Sequence, residues 1–473
     1  MFHGRTRELG LLRTALDERQ ASYIVVSGMP GAGKTALALH ATADFPVVYH
    51  RVPPLPESHQ HDTLVADVAR GLNGMSPPPA SGGEVFPTGW QAAFRRLLSA
   101  ANPEGRPLVL VMDDAHHLGE SRARITAPLF DMLTRAREGG LPIHVVLLTS
   151  GRTPLPGTLD DDSAEAAAVR LDVLPLSCRA AAPMLPGSTA EDIIQAYAVF
   201  GGVPGRLIHL DTGATLLTNI RRTMLAPEAP LAQAGLTFLQ WSVQAPARYA
   251  AVLASLSLGE ADWKTIHEGM PDLTASGQVA PYVKRLEALG AVESRRSLDA
   301  RPGSRNTRYG LTDPFLAFWY RTILPNRTEA TLASPTEFFH RHLRPTLDPH
   351  TASVFPSVCR QYMAHDAMES VGSNAREVGS LWSPTMDVPV AGVLRSGVPF
   401  YGAASWSPRR PGVELLHDLD RAVGETRYGF GRELRLRVVY ARDGFTAELA
   451  RQAARRRDVL LLTAADVLGN DGA

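Results

Sequence analysis

Cysteine is nearly absent: Cys178 and Cys359 are the only two in 473 residues. That excludes a disulfide scaffold and a cysteine-cluster metal site, and it fits a reducing cytosol. Net charge is missing too, because 48 Lys+Arg balance 48 Asp+Glu. No global field draws in nucleic acid or an acidic membrane, so any basic site has to be a local patch. No run of about 18 apolar residues occurs, which excludes a membrane-spanning helix. The first residues, Met1-Phe2-His3-Gly4-Arg5-Thr6-Arg7-Glu8, lack the apolar core of a signal peptide. The expectation is a mature cytoplasmic protein. What is present is ordinary for a globular chain: 44% hydrophobic, 20% charged and 7% aromatic residues. The length suggests about three domains, with room for several cores.

The first third alternates short apolar runs with helical patterns. Tyr23–Ser27, Val47–Tyr49, Leu108–Met112, Ile143–Thr149 and Val169–Val173 read as strands, and 33–43 reads as a helix. That alternation predicts a parallel sheet covered on both faces. Residues 71–89, rich in Gly, Pro and Ser, read as a surface loop. From about 245 to 312 the pattern becomes short helices and a hairpin. The amphipathic stretch 278–289 stops at Gly290, Ala291–Ser294 starts a strand, 299–307 forms a polar tip, and Arg308–Leu311 returns. Helices followed by a hairpin describe a winged helix-turn-helix. The aromatic run Phe315, Phe318, Trp319, Tyr320 is expected to be core packing. From about 350 onwards, a helix is followed by strands near 377–382, 387–393 and 398–406. A helix near 412–423, a strand at 434–441, a helix at 445–456 and a strand at 457–462 complete a compact α/β domain.

Gly28-Met29-Pro30-Gly31-Ala32-Gly33-Lys34-Thr35 satisfies G-x-x-x-x-G-K-[ST] between a strand and a helix. The glycines let backbone N–H groups converge on phosphate oxygens, and the helix N-terminus carrying Ala36 adds a favourable dipole. Lys34 is expected at the β- and γ-phosphates, and the Thr35 hydroxyl on Mg²⁺. The apolar strand before Asp113 and Asp114 delivers acid at its C-terminal edge, where open α/β sheets bind ligands. Asp113 is placed for the Mg²⁺ shell. Asp114 has two readings: it orients or deprotonates the attacking water, or it is a second acid in a slowly hydrolysing switch. His116 and His117 read as packing residues, since no cysteine or carboxylate lies at ligand spacing.

Several landmarks together resemble the STAND/archaeal-type branch of AAA-like ATPases. Phe2-His3-Gly4-Arg5-Thr6-Arg7-Glu8-Leu9 is similar to that family's F-x-G-R-x-x-E-L segment against the adenine, which implies Gly4 and Arg5 as nucleotide neighbours. Gly201-Gly202-Val203-Pro204-Gly205, after the helix 189–200, resembles the lid turn that contacts the base, which implies Pro204 there; a helix stop followed by proline is the other reading. In P-loop ATPases with an additional strand, that strand lies between the two Walker strands. This implies that Thr149 or Ser150 senses the γ-phosphate and that Arg152 offsets developing charge, against the alternative of a solvated loop arginine. Arg308-Tyr309-Gly310-Leu311-Thr312-Asp313-Pro314-Phe315-Leu316-Ala317-Phe318-Trp319-Tyr320 resembles the Y-x-[IL]-x-D-P-F-L-x-F-W-Y junction, where a winged helix precedes a restriction-endonuclease-like domain. The resemblance implies an α/β P-loop NTPase sheet (1–174), a helical lid (175–240), a winged helix-turn-helix (241–325) and a nuclease-like α/β domain (326–473).

That last domain departs from the family pattern. Asp387 falls at the first acid position, but Ala403 stands at the expected Glu and Ser405 at the expected Lys. A metal-dependent nuclease needs clustered oxygen ligands and a cation, so a nuclease-like fold without nuclease chemistry is expected. Residues 284–310 hold seven Lys/Arg against three Asp/Glu. Arg285, Arg295, Arg296 and Arg308 on the third helix and wing are the candidates for duplex DNA, with protein docking the other reading of this face. The functional expectation is an ATP- and Mg²⁺-binding, slowly hydrolysing switch, coupled to homo-oligomerisation or to DNA or protein binding. An ATP-loaded scaffold that does not hydrolyse, and a divergent ATP-dependent nuclease, are the alternatives. No membrane partner is expected.

Overall fold

The run Leu108–Asp113 is buried at every position, as a strand covered on both faces has to be. In the computed structural model it is β3 of a parallel five-stranded sheet, with β1 (Ser22–Gly28), β2 (Val47–Arg51), β4 (Ile143–Ser150) and β5 (Ala168–Asp172) in the order β2-β3-β4-β1-β5. The structure describes residues 3–73, 89–150, 168–226, 228–301, 303, 306–332 and 334–469. They divide between two compact units, Met1–Pro175 and Leu176–Ala473.

In the first unit, alternation along the strands feeds two cores. Val109, Val111, Val146 and Leu148 join Leu12, Leu16 and Leu37 on one face. Leu108, Leu110, Met112, Val145 and Leu147 meet Leu64, Phe94 and Leu129 on the other. The covering helices are α1 (Thr6–Asp17), α2 (Lys34–Ala41), α3 (Glu57–Asn73), α4 (Trp90–Ala100) and α5 (Arg122–Glu138). The predicted loop at 71–89 begins too early, because α3 continues through Asn73 with Leu72 in the core; 74–88 lie outside the described residues. β4 does lie between β1 and β3. This places the polar tip of β4 beside the glycine loop, with Ser150 paired to Gly28 and Thr149 to Ser27.

In the second unit one continuous core runs from helix Ala190–Phe200 to the C-terminal sheet. Helices Pro246–Leu256, Trp263–Glu268 and Ala280–Ala288 precede an antiparallel hairpin of β6 (Val292–Arg296) and β7 (Thr307–Leu311). A bridge from Ala261 to Tyr309 adds a third short rung. Phe315, Phe318, Trp319 and Tyr320 are all fully buried in this core. The C-terminal sheet holds β8 (Ala375–Ser383), β9 (Met386–Leu394), β10 (Pro399–Ser405), β11 (Leu436–Ala441) and β12 (Val459–Thr463), in chain order across the sheet. β8, β9 and β10 are antiparallel neighbours; β10, β11 and β12 are parallel. Helix Arg344–His365 covers one face through Phe355, Val358 and Tyr362. It contains Pro349 and Pro356. A proline inside a helix costs about 3 kcal/mol, which burial of the neighbouring side chains offsets. Helices Val413–Glu425 and Ala447–Ala454 cover the other face through Leu416, Leu419 and Leu449.

Candidate nucleotide site

The glycine loop leaves β1 and enters α2, and its glycines answer two steric demands. Gly33, the residue before α2, has φ 91°, a region costly for any side chain. At Gly28 a Cβ would lie 2.4 Å from the Val173 carbonyl oxygen, so the chain can pass there only without one. Lys34 opens α2 and is buried. Its Nζ donates back to the Gly28 and Met29 carbonyls, at 2.9 and 3.1 Å. Burial pulls the Lys34 pKa down, while Asp113 and Asp114 pull the other way. The ammonium thus sits at the mouth of the loop, held by weak neutral acceptors that a phosphate outcompetes.

Asp113 ends β3 and is buried. Its Oδ2 accepts the Thr35 hydroxyl at 2.7 Å and the Tyr49 hydroxyl at 2.7 Å. Its Oδ1 accepts the Asp114 amide at 2.8 Å. Thr35 and Asp113 therefore present adjacent oxygens, the ligand type a hard divalent cation takes. Asp114 has φ 53°, a left-handed conformation uncommon for a non-glycine residue. Its Oδ2 accepts from Arg51 Nε at 2.9 Å, an ion pair on the rim.

Tyr49 and Arg51 were not among the candidates read from sequence. Both lie on the exposed side of β2, where parallel pairing sets Arg51 opposite Asp113. The signal was available in the alternation Val47–Arg51 combined with β2–β3 adjacency. The Tyr49 hydroxyl pKa is raised by burial and by its bond to Asp113, so it remains a donor at neutral pH.

Arg5, expected against the base, is buried and donates to the Ala32 carbonyl at 2.7 Å, with Glu8 as its ion-pair partner. It braces the glycine loop from behind, following Gly4 at φ 70°. Gly31 also has positive φ, Ala32 is buried, and Pro30 and Ala36 are exposed at the loop surface. His117 Nδ1 lies 3.1 Å from the Val52 carbonyl, and the His116 and His117 rings lie 4.1 Å apart, tilted by 50°. Arg152 lies outside the described residues. Pro204 opens the short helix Pro204–Leu207 in the second unit. Two residues on, Arg206 makes a forked pair with buried Asp313, at 3.0 and 2.7 Å, and lies over the Phe315 ring. The turn at Pro204 and the Asp313-Pro314-Phe315 segment are thus one contact.

The arginine face is largely spoken for within the chain. Arg295 is ion-paired with Glu260 and Glu293. Arg308 pairs with Asp387 at 3.1 Å and lies over the Trp382 ring. Arg285 is half-buried, and Arg296 is exposed. The hairpin tip also docks on β8: the Leu298 amide donates to the Ser380 carbonyl at 3.0 Å, and the Trp382 amide donates to the Ser297 hydroxyl at 3.1 Å. Arg295 and Arg308, candidates for nucleic acid from sequence, are thus engaged by Glu260 and Asp387 from distant sequence and by Glu293 two residues away. Among the described residues no group of three or more His, Cys, Asp or Glu is arranged to hold a metal ion, and no helix is long and apolar enough to cross a membrane.

Residues 1–147 match the profile of the AAA ATPase domain. An uncharacterized protein of Methanocaldococcus jannaschii is 21% identical over 404 residues, 81% of this chain and 82% of that one. The Walker-type ATPase of Pyrococcus abyssi has 16% identity and a TM-score of 0.49, over 67% of this chain and 96% of that chain. The Aeropyrum pernix ORC2 protein, solved with ADPNP and ADP, has 16% identity and a TM-score of 0.43, over 70% and 95%. The profile match and the β2-β3-β4-β1-β5 order define the N-terminal unit as an AAA-type P-loop ATPase domain.

Proposed function

We propose that this protein is a nucleotide-dependent switch that binds ATP with Mg²⁺ and hydrolyses it slowly. The observation that carries this reading is the convergence of Lys34 Nζ, the Thr35 hydroxyl and the Asp113 carboxylate at the C-terminal edge of the sheet. Loop amides and Lys34 receive the β- and γ-phosphates; Thr35 and Asp113 hold the cation. Bound there, Mg²⁺ supplies charge neutralisation to the phosphate oxygens. Asp114 holds the attacking water and takes its proton, with Arg51 fixing its carboxylate. Thr149 and Ser150, at the tip of β4, read the γ-phosphate. Pro204 keeps the role of base neighbour that the sequence resemblance gives it.

Duplex DNA is the partner proposed for the winged-helix face, through exposed Arg296 and half-buried Arg285, with self-association or a protein partner through the C-terminal sheet. The winged-helix reading rests on three helices followed by a hairpin. Nuclease chemistry is not proposed, because Asp387 is engaged by Arg308. Single-turnover hydrolysis separates the switch from a scaffold that only binds ATP. Asp114→Asn is expected to slow phosphate release at least about tenfold with ATP affinity retained; an unchanged rate contradicts a catalytic Asp114.

A further inference from the structure

Between the β6–β7 hairpin, helix Arg344–His365 and the C-terminal sheet lies a cavity of about 250 Å³. Three arginines line it. Two are balanced, Arg295 by Glu260 and Glu293 and Arg308 by Asp387. Arg360 is different. Its Nη1 donates to the Pro389 carbonyl at 2.6 Å; among the described residues it makes no direct ion pair, and Glu260 and Glu293, both bound to Arg295, act on it only through space. A largely buried guanidinium without a directly bonded carboxylate is incompletely compensated for its lost hydration. Burial, aided by nearby Arg295 and opposed by Glu260 and Glu293, pulls the Arg360 pKa down to about 10. Ser357, one helical turn before Arg360, and Ser380 on β8 also line the cavity. Among the described residues neither hydroxyl has a hydrogen-bond partner.

We propose that this cavity is a binding site for a phosphate monoester group, with Arg360 as its central cation and the Ser357 and Ser380 hydroxyls as further donors. A tetrahedral oxyanion offers acceptor oxygens in several directions, which suits donors arriving from a helix and a strand. A guanidinium fork matches two of those oxygens. The phosphate charge gives Arg360 the direct ion pair it lacks, in a cavity whose carboxylates, Glu260 and Asp387, are held by Arg295 and Arg308. The group comes either on a small phosphorylated metabolite or on a nucleic-acid 5′ end; the chemistry at Arg360 is the same. The site is separate from the glycine loop, and the proposal stands whether or not that loop binds ATP.

The test uses the full chain carrying Lys34→Ala, so that the glycine loop does not compete. Inorganic phosphate, AMP, and an oligonucleotide with 5′-phosphate or 5′-hydroxyl are titrated by calorimetry. Saturable phosphate binding is expected, weakened at least about tenfold by Arg360→Met. Ser357→Asp places a carboxylate one turn from Arg360; it is expected to abolish phosphate binding and raise Tm. AMP tighter than phosphate identifies a metabolite; preference for the 5′-phosphorylated oligonucleotide over its hydroxyl form identifies a nucleic-acid end. No binding of any of these probes up to about 10 mM, or equal phosphate affinity in Arg360→Met, overturns the proposal. Should Arg360→Met not fold, Ser357→Asp decides: undiminished phosphate affinity in that variant overturns it equally.

Discussion

At the scale of single residues, the site depends on which partner each acid keeps. Asp113 is held by two hydroxyls and one amide. Asp114 is held by Arg51, which is itself mostly exposed. An exposed pair contributes only about 0.2–1 kcal/mol. Arg51→Ala is therefore expected to slow single-turnover hydrolysis only about twofold to fivefold by releasing the Asp114 carboxylate from its fixed position, with ATP affinity unchanged. Rapid-quench measurement of phosphate release checks this; a rise in rate would mean that Arg51 restrains Asp114 instead of positioning it. The glycine loop, Lys34 and Asp113 were legible in sequence because motif spacing and an apolar strand fix them locally. Tyr49 and Arg51 were not, because an edge-strand residue pointing to solvent looks ordinary until strand pairing is known.

A second residue shows what burial does to a titrating group. His350 is fully buried, its Nε2 lies 2.7 Å from the Ala198 carbonyl, and Nδ1 has no partner. Burial lowers its pKa from 6.5 to about 4. The folded state thus favours neutral imidazole, and the unfolded chain takes up the proton first as pH falls. The associated stability is fully present above about pH 6.5 and is lost progressively down to about pH 4, where it levels off. The loss is roughly 3 kcal/mol. Urea midpoints of the full chain across that range are expected to fall, with a shallower slope in His350→Gln; parallel slopes would contradict the assignment.

At the scale of elements, the second unit is tied together by contacts that bridge long sequence distances. Arg206 and Asp313 join the turn at Pro204 to the helix Pro314–Phe318, which Asp313 also caps. Removing one member strands a buried charge, at a cost of about 3–5 kcal/mol. Arg206→Ala and Asp313→Ala are each expected to cost that much, and the double variant less than their sum. Additive losses in thermal unfolding would show that the two side chains act independently. Elements were legible where periodicity follows local burial, as at 278–289 and in the strands of the C-terminal sheet; the helices Thr6–Asp17, Arg327–Leu332 and Pro335–Phe338 were not read. The docking of the hairpin tip on β8 was not, since Ser297 and Leu298 carry no local sign of partners at Ser380 and Trp382. The basic count near 284–310 therefore overstated the free charge.

At the scale of the whole molecule, an AAA-type ATPase domain precedes a second unit whose helices, hairpin and C-terminal sheet share one core. The C-terminal acid at Asp387 is engaged by Arg308 rather than grouped with other carboxylates. Incubation with supercoiled or linear DNA and Mg²⁺ or Mn²⁺ is expected to yield no cleavage; cleavage lost on Asp387→Ala would contradict this. DNA binding, where it occurs, is expected to weaken with salt and with Arg296→Ala.

The most direct test is calorimetric titration of the full chain with ATP, with and without Mg²⁺, beside Lys34→Ala and Asp113→Asn. The account requires saturable, Mg²⁺-strengthened uptake in the unaltered protein. It requires loss of uptake in Lys34→Ala and loss of the Mg²⁺ increment in Asp113→Asn. Folded protein that takes up no ATP, or takes it up equally after Lys34→Ala, contradicts it.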